Sequence, residues 1–420
     1  MNNQGFINTE IGCFPKGWSI ICLGDYIVDI NDGPFGSNLK TEHYTSKREV
    51  RIIQLGNVGD NGWNNDNVKY TTYEHAATLK RCIVPYGSVI IAKMMPAGRA
   101  ILCPSSEPMY IQGSDVIKVS FSDAISKEFF IYLTKSKAYI DQIESSVQGS
   151  TRARTNIGKI KTLKLPLPPR EEQDRIADAL SSMDALIASL DEVIQKKRQI
   201  KEGLMQNLLT GSIRLRGFSG EWQNKTVGEI GFTYSGLTGK GKNDFGHGEA
   251  LYITFLNVLN NPILKTDIFE KVDVKDGERQ NKALKGDLFF NTSSETPEEV
   301  GICAMLNEGI ENLYLNSFCF GFRLTDPEVD GLYLSYFWRS KLGREIMTTL
   351  AQGATRYNLS KEYFNKTKIL LPPLNLQRHI ANTLMIAERE IALLEAKREK
   401  YNLIKQGMMQ ELLTGKTRLI

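Results

Sequence analysis

Apolar residues recur with alternating three- and four-residue spacing in two long stretches, which follow Pro168-Pro169 and Pro372-Pro373. The apolar positions are Ile176, Leu180, Met183, Ile187, Leu190 and Ile194 in the first stretch, and Ile380, Leu384, Ala387, Ile391 and Leu394 in the second. A Pro-Pro pair suits a helix start, and the spacing predicts two helices of about 36 residues with a coiled-coil seam. Gly211 and Gly415 predict their ends. Alternatively, each helix packs only on its own domain.

Shorter apolar runs precede each of these stretches and predict strands. They cover residues 51–55, 88–92 and 116–119, and again 251–255, 287–290 and 318–324. Helix-like segments follow at 127–147 and 332–350. Each globular part is therefore predicted to be of the α+β class.

The chain contains an internal repeat with an offset of 204 residues. Gln148-Gly149-Ser150-Thr151-Arg152 matches Gln352-Gly353-Ala354-Thr355-Arg356, and Leu208-Leu209-Thr210-Gly211 matches Leu412-Leu413-Thr414-Gly415. Between residues 167 and 215, 22 of 49 positions are identical to the residue 204 later, far above chance. The sequence therefore predicts a duplicated unit, with a variable globular part (14–166 and 218–370) followed by a well-matched tail.

Composition is that of a folded, mildly basic protein, with 41% hydrophobic residues and a net charge of +4. This charge permits a polyanionic partner without requiring one. The six cysteines form no Cys-x-x-Cys pair, and we expect them to be buried apolar groups. No segment looks like a secretion signal or a membrane span, so we expect a cytoplasmic protein without a membrane partner.

No catalytic motif is visible in the sequence. Lys416-Thr417 lacks the preceding glycine of a phosphate loop, because Gln410 stands there. There is no Asn-Pro-Pro-[Phe/Tyr] tetrad, the signature of an amino-methyltransferase, and the four histidines lie far apart. Asp273-Val274-Lys275 has the Asp-x-Lys form seen in nucleases, but a charged surface segment explains it equally well. We therefore expect a protein that is not an enzyme and binds no metal or cofactor.

Several motifs mark the two repeats and the boundary between them. They are Leu165-Pro166-Leu167-Pro168-Pro169 with Glu172-Gln173, Leu370-Leu371-Pro372-Pro373 with Gln377, the Leu-Leu-Thr-Gly-x-x-Arg-Leu stretches at 208–215 and 412–419, Gly-Phe-Ser-Gly-Glu-Trp at 217–222, and the two Gln-Gly-x-Thr-Arg loops. Together these motifs resemble those of the specificity subunit of type I restriction–modification systems. The resemblance spans the whole chain, and its motifs are specific only in combination. The second half has Leu376 where the first has Glu172, so the usual Glu-Gln pair is intact only in the first.

The resemblance implies two target recognition domains, at 1–168 and 214–372, each followed by a conserved spacer helix, at 169–213 and 373–420. Members of this family carry out no chemistry themselves. They place methyltransferase (modification) subunits, and through them restriction subunits, on double-stranded DNA with a bipartite target. S-adenosylmethionine and ATP would then be bound by those partners.

A pseudo-two-fold repeat requires the two helices to run antiparallel, so that the C-terminus returns near the N-terminus. A helix of about 36 residues measures roughly 55 Å, or about 16 base-pair steps of straight DNA. The helices would therefore set the length of an unspecified spacer. Because the two domains differ in sequence, the two half-sites should also differ.

Two pairs of segments are candidate DNA contacts, because arginine can bind guanine or phosphate and asparagine can pair with adenine. One pair is the two Gln-Gly-x-Thr-Arg loops, for which the alternative is a capped surface turn. The other pair consists of the segments that follow the predicted strands at 88–92 and 287–290, which we call the strand exits; there the alternative is an ordinary solvated loop. The loop candidates are Arg152, Arg154, Asn156, Arg356 and Asn358; the strand-exit candidates are Lys93, Arg99, Asn291, Thr292, Ser293 and Ser294.

The sequence leaves three other functions open. The chain could serve a fused restriction–methylation enzyme, it could be a coiled-coil scaffold that binds only proteins, or it could be a nuclease with unrecognised motifs. The duplicated Gln-Gly-x-Thr-Arg loops favour DNA over a protein scaffold.

Overall fold

The computed structural model describes residues 5–147, 154–213, 215–275 and 277–420. The chain divides into two compact units, which we describe separately. Unit 1 extends to Leu190 and includes Lys397–Ile420, and unit 2 is Asp191–Ala396. Each unit therefore contains one globular part together with a portion of each long helix.

Unit 1 holds the elements of the first repeat. Its strands are β1 (Phe6–Thr9), β2 (Gly12–Pro15), β3 (Ser19–Cys22), β4 (Ile27–Asp32), β5 (Tyr44–Thr45), β6 (Val50–Ile53), β7 (Val58–Gly59), β8 (Gly62–Trp63), β9 (Tyr70–Thr71), β10 (Ile83–Val84), β11 (Val89–Ala92), β12 (Ala100–Leu102), β13 (Tyr110–Gln112), β14 (Val116–Phe121) and β15 (Lys164–Leu167). Its helices are α1 (Tyr73–Thr78), α2 (Lys127–Leu133), α3 (Lys137–Val147) and α4 (Ile157–Lys161), followed by the long helix α5 (Arg170–Leu209).

Unit 2 holds the second repeat. Its strands are β16 (Gln223–Thr226), β17 (Gly231–Ser235), β18 (Phe245–Ile253), β19 (Glu270–Val272), β20 (Leu288–Asn291), β21 (Ser293–Ser294), β22 (Cys303–Met305), β23 (Leu313–Leu315), β24 (Cys319–Leu324), β25 (Ala351–Gln352), β26 (Tyr357–Leu359) and β27 (Lys368–Leu371). Its helices are α6 (Val227–Ile230), α7 (Phe255–Asn260), α8 (Gly331–Arg339), α9 (Lys341–Leu350) and α10 (Lys361–Lys366), followed by the long helix α11 (Leu374–Leu412).

Both units are built on the same four-stranded antiparallel sheet. Its strand order is β12-β11-β14-β4 in unit 1 and β22-β20-β24-β17 in unit 2, so every strand has its counterpart in the same place. The central strands β11 and β20 are fully buried, as their continuous apolar sequences predict. The α+β prediction and the internal repeat are therefore confirmed.

A second sheet carries most of the differences between the units. Its core is a parallel pair in both, β6 with β13 and β18 with β23. In unit 1 this pair grows to the five-stranded order β10-β13-β6-β9-β5, whereas in unit 2 only β19 is added. The sequence offset drifts between the anchors for two reasons: the strands added to this pair differ, and the segment after the central strand of the common sheet is longer in unit 2, at 292–302, than in unit 1, at 93–99.

The two long helices, of 40 and 39 residues, run antiparallel. In unit 1, Lys405 of α11 forms an ion pair with Asp184 of α5. In unit 2, Lys201 of α5 pairs with Glu388 of α11 at 3.0 Å, so residue numbers rise along one helix as they fall along the other. The antiparallel prediction is confirmed, and the alternative, in which each helix packs only on its own domain, is wrong.

Each of these lysine–carboxylate pairs also binds a tyrosine from the globular part. Tyr132 of α2 donates to Asp184 Oδ2 at 2.8 Å, and Tyr336 of α8, its repeat counterpart, donates to Glu388 Oε2 at 2.9 Å. Burial and the adjacent carboxylate raise the pKa of both phenols, so both stay protonated as donors. We call each set a tyrosine–carboxylate–lysine joint; it ties one globular part to both helices.

A buried glutamine fixes the start of each long helix. In unit 1, Gln173 accepts from the Ser126 backbone N–H at 2.9 Å and donates to the Ala124 and Pro168 carbonyls. In unit 2, Gln377 makes the matching three bonds, to the Asp330 N–H and the Glu328 and Pro372 carbonyls. These bonds satisfy backbone groups just before α2 and α8, which explains why both repeats keep a glutamine there.

Unit 1 also joins both ends of the chain through Glu172. This buried carboxylate accepts two bonds from Arg418, at 2.5 and 2.7 Å, and one from Trp18 Nε1 at 3.2 Å. The prediction that the C-terminus returns to the N-terminal segment is therefore confirmed. In unit 2 the equivalent position is the buried Leu376, and the counterpart of Arg418, residue 214, lies outside the described residues.

Two local features differ from the sequence-based expectation. Each of the predicted helical segments 127–147 and 332–350 is two helices, because Ser136 and Ser340 interrupt the segment and accept backbone N–H groups of the next helix. Cys13 is exposed, whereas four of the six cysteines are buried. Within the described residues, no helix is long and apolar enough to cross a membrane.

Replacing Gln173 with alanine should destabilise the protein by about 1–3 kcal/mol, because it leaves the buried Ser126 N–H and two carbonyls without partners. Urea unfolding followed by tryptophan fluorescence measures this loss. The matched control is Gln195→Ala, on an exposed position of α5. Equal midpoints for the two variants would show that the buried Gln173 amide does not stabilise the protein.

Candidate DNA interface

In unit 2, the loop and strand-exit candidates come together in one small sheet. Strand β26 pairs with β21 on one side and β25 on the other, so that Asn358 lies opposite both Ser293 and Gln352. The Arg356 Nε donates to the Ser293 hydroxyl at 3.0 Å. Two groups that the sequence separates by some sixty residues therefore form one surface.

Arg356, in the turn between β25 and β26, and Asn358, in β26 itself, face solvent. Both residues are exposed, and the Asn358 amide donates to the Arg356 carbonyl at 3.2 Å. Gly353 has a φ of 137°, and a Cβ there would overlap the Arg356 carbonyl oxygen. The glycine is thus required for the tight turn that carries the arginine.

Of the strand-exit candidates in unit 2, Asn291 is fully buried. Its amide donates to the Ser293 and Glu299 carbonyls, and its oxygen accepts from the Ile302 N–H at 2.6 Å. Its surroundings favour a structural role, that of organising the loop behind the surface. Ser293 is largely buried and Ser294 donates to Glu299 at 2.9 Å, so both lie at the edge of this surface.

Arg344 binds the carbonyl groups of the same loop, and no sequence pattern singles this residue out. Its guanidinium donates to the carbonyls of Glu298, Val300 and Gly301. Burial, with a smaller contribution from the Arg339 charge, lowers the pKa of Arg344 to about 10. The side chain therefore stays charged at neutral pH and holds the loop that supports Ser293 and Ser294.

Unit 1 shows the same juxtaposition through an equivalent backbone bond. The Thr155 N–H donates to the Lys93 carbonyl at 2.9 Å, and in unit 2 the Leu359 N–H donates to the Thr292 carbonyl at 2.9 Å. Thr155 and Leu359 are repeat counterparts. The main chain therefore brings the residue after the strand, Lys93 or Thr292, together with Thr155 or Leu359, each of which lies three residues after a Gln-Gly-x-Thr-Arg motif.

The predicted side chains of unit 1 have different surroundings. Lys93 is only 6% exposed, pairs with Asp32 and donates to the Ser114 carbonyl at 2.8 Å, which favours a structural role. Arg154 is exposed and pairs with Asp115 at 2.8 Å. Asn156 is exposed, but its oxygen caps α4 by accepting the Lys159 N–H at 3.0 Å. Arg152 lies outside the described residues.

Lys93, Arg154 and Asn156 line one cleft of about 1020 Å³. Arg99 does not line this cleft. Arg99 pairs with Asp60 at 2.9 Å. It lines a different cleft, together with Met95 and with Lys405 of α11. The first cleft also contains Lys80 and Arg81, which our sequence analysis missed. The signal in the sequence was a pair of adjacent cations separated from the apolar strand β10 by one residue, Cys82.

Nothing in the described ranges suggests a metal centre, because no group of three or more histidine, cysteine, aspartate or glutamate side chains is placed to hold a metal ion there. The surfaces of both units instead combine exposed arginine and amide side chains with backbone turns. Such groups can bind phosphates and base edges.

Comparison with known proteins identifies the family. The family model described as the type I restriction modification DNA specificity domain matches twice, at residues 15–202 and 219–402, once in each repeat. The chain therefore belongs to the family of type I restriction–modification specificity proteins. The two matches agree with the duplication that the sequence and both sheets display.

Curated relatives and solved structures agree with this assignment. The chain is 23% identical over 445 residues to the putative type I restriction enzyme MjaX specificity subunit of Methanocaldococcus jannaschii, covering 99% of this chain and 97% of that protein. It is also 23% identical to the EcoKI specificity subunit of Escherichia coli, over 60% of this chain and 56% of that one. The S subunit from M. genitalium shares its fold, with a TM-score of 0.57 at 14% identity, covering 94% of this chain and 96% of that one.

Replacing Arg356 with alanine should weaken DNA binding by the full chain. If Arg356 reads a base, we expect a loss of about 1–3 kcal/mol and a relaxed preference in one half-site only. If it binds phosphate, all sequences should weaken alike and the salt slope should fall by about 0.9. Fluorescence anisotropy at several salt concentrations distinguishes the two roles.

The control is Arg389→Ala, which removes an exposed arginine on α11 that does not belong to the small sheet. Should Arg356→Ala match this control in affinity, preference and salt slope, the turn would be structural only.

Proposed function

We propose that this chain is the DNA-recognition subunit of a type I restriction–modification complex, in which each globular part reads one half of an asymmetric bipartite site. The observation that carries the proposal is the equivalent backbone bond between strand exit and loop in both units. It holds two matching surfaces whose side chains differ, with Arg154 in one and Arg356 and Asn358 in the other. Different side chains on one framework favour two different half-sites.

In this proposal the chain contributes recognition, and methyl transfer and cleavage belong to its partners. The sequence carries no methyltransferase tetrad and no phosphate loop. The modification subunits would bind S-adenosylmethionine, and the restriction subunits would join the complex through them.

We further propose that the long helices provide docking surfaces for the modification subunits. In unit 2, exposed apolar side chains recur at seven-residue spacing on both helices, away from the buried seam. They are Val193 and Ile200 on α5, and Ile386 and Leu393 on α11. Leu393 is 72% exposed, and such rows of apolar side chains favour a helical protein partner.

The purified chain should bind its target duplex but transfer no methyl group, and methylation should appear only when the modification subunit is added. Leu393→Glu should abolish that methylation while leaving DNA binding by the chain unchanged, because a charge is costly in an apolar contact. Tritiated S-adenosylmethionine incorporation and a gel shift measure the two properties. Methyl transfer by the chain alone, or no binding to any duplex, would contradict the proposed function.

We also propose that helix length sets the unspecified spacer between the half-sites. Forty residues of helix measure roughly 60 Å, or about 18 base-pair steps. Inserting seven residues into both helices, after Glu192 and after the equivalent Ala396, keeps the seam in phase and adds roughly 10 Å. The two half-sequences should stay the same while the spacer grows by about three base pairs.

Methylome sequencing of a host that expresses the complete system reads the spacer directly. The control is the same insertion in α5 alone, which puts the two helices out of register and should abolish activity. An active double-insertion complex that keeps both halves and an unchanged spacer would show that the helices do not set the distance.

A further inference from the structure

Phe35 is the most exposed aromatic side chain among the described residues, at 83%. It lies in the loop that follows β4, within Gly33-Pro34-Phe35-Gly36. Leaving a phenyl ring in water forfeits the free energy that its burial would provide. An exposed ring on a polar loop is available to a partner that covers it.

Several contacts hold the main chain of this loop on both sides of Phe35. A Cβ at Gly33 would overlap the Gly113 carbonyl oxygen, so the loop is packed directly against the main chain at its base, and Pro34 is buried. Beyond the ring, the Asn38 N–H donates to the Phe35 carbonyl at 2.7 Å, and His75 Nε2 lies 2.9 Å from the Asn38 carbonyl. A loop whose main chain is held in this way loses little backbone freedom when a partner binds.

The same cleft that holds Arg154 is also lined by Phe35, Lys80 and Arg81. Lys80 and Arg81 are exposed, and within the part of the chain that the structure describes neither forms an ion pair. The ring therefore lies at a surface with unpaired positive charge, which complements a polyanion rather than an apolar protein face.

Unit 2 lacks this ring although it keeps the rest of the loop. Gly236 follows β17 as Gly33 follows β4, and a Cβ there would overlap the Asn316 carbonyl oxygen. The next residue, Leu237, is buried like Pro34. The position of Phe35 is taken by Thr238, whose N–H and carbonyl are both bonded to the Gln280 side chain, at 3.1 and 2.8 Å.

We propose that Phe35 stacks on a base or inserts between two bases of the half-site read by unit 1, while Lys80 and Arg81 bind the flanking phosphates. Apolar side chains that enter a base step are an established way to unstack and bend DNA. This inference rests on the proposed function and adds to it a contact that exists in only one of the two recognition domains. The two half-sites should then differ in how strongly the protein deforms them.

Phe35→Ala should weaken binding of the full chain to its target duplex by about 5- to 150-fold, the range expected for one aromatic–base stack. The salt slope should stay the same, because no charge is lost. Phe35→Trp, which keeps a stacking surface, should retain most of the affinity. Duplexes with 2-aminopurine at successive positions of both half-sites should show increased fluorescence in one half with the unaltered chain, and Phe35→Ala should lose that increase.

The matched control is Thr238→Ala, at the equivalent position of unit 2, which should leave both affinity and the 2-aminopurine signal unchanged. Lys80→Ala combined with Arg81→Ala should instead lower the salt slope by about 1.8, since two phosphate contacts are removed. Circular dichroism should match for all variants, because the altered side chains are exposed or only partly buried.

If Phe35→Ala binds the duplex as tightly as the unaltered chain and gives the same fluorescence, the stacking proposal is wrong while the proposed function stands. If that variant keeps DNA binding but no longer retains the modification subunit in co-purification, the ring contacts protein and the proposal is equally overturned. Failure of the unaltered chain to bind any duplex would instead contradict the proposed function itself.

Discussion

The antiparallel pairing of α5 and α11 is the constraint on which the rest of the structure depends. Within each unit, a carboxylate on one helix binds a lysine from the other helix and a tyrosine from the globular part. Removing one partner from such a partly buried group leaves the others poorly satisfied, so the three contacts depend on one another. The helix pair and the globular part of a unit therefore form together, and neither can shift without breaking a joint.

Duplication produces a framework in which recognition can vary at little structural cost. The contacts shared by both repeats are made by the main chain or by buried side chains, such as the Thr155–Lys93 and Leu359–Thr292 backbone bonds and the glutamines at the helix starts. None of them depends on the exposed residues of the turns. The two surfaces can consequently carry different side chains, Phe35 against Thr238 for example, while the sheet and helices remain the same.

The candidate residues separate into those that face solvent and those that build the surface. Arg154, Arg356 and Asn358 are exposed, whereas Asn291 and Lys93 use their polar atoms inside the protein. Both groups look alike in the sequence, since a polar residue after an apolar strand fits either role. What separates them is the position of Glu299, Ile302, Asp32 and Ser114, which only the folded chain brings into contact.

The sequence alone determined the features that follow from local periodicity and from repetition. These are the two long helices, the buried central strands, the duplicated α+β unit and, through the paired motifs, the family. Tertiary structure decided everything that rests on contacts between distant segments. These are the hydrogen bonds of the buried glutamines, the tyrosine–carboxylate–lysine joints, the contacts of Glu172 with Trp18 and Arg418, and the backbone bond between strand exit and loop in each unit. The physical reason is that spacing records which face of an element is apolar, whereas burial and hydrogen bonding of a polar side chain depend on neighbours tens to hundreds of residues away. The exposure of Phe35 belongs to this second class, because nothing in its local sequence distinguishes a buried ring from one held in solvent.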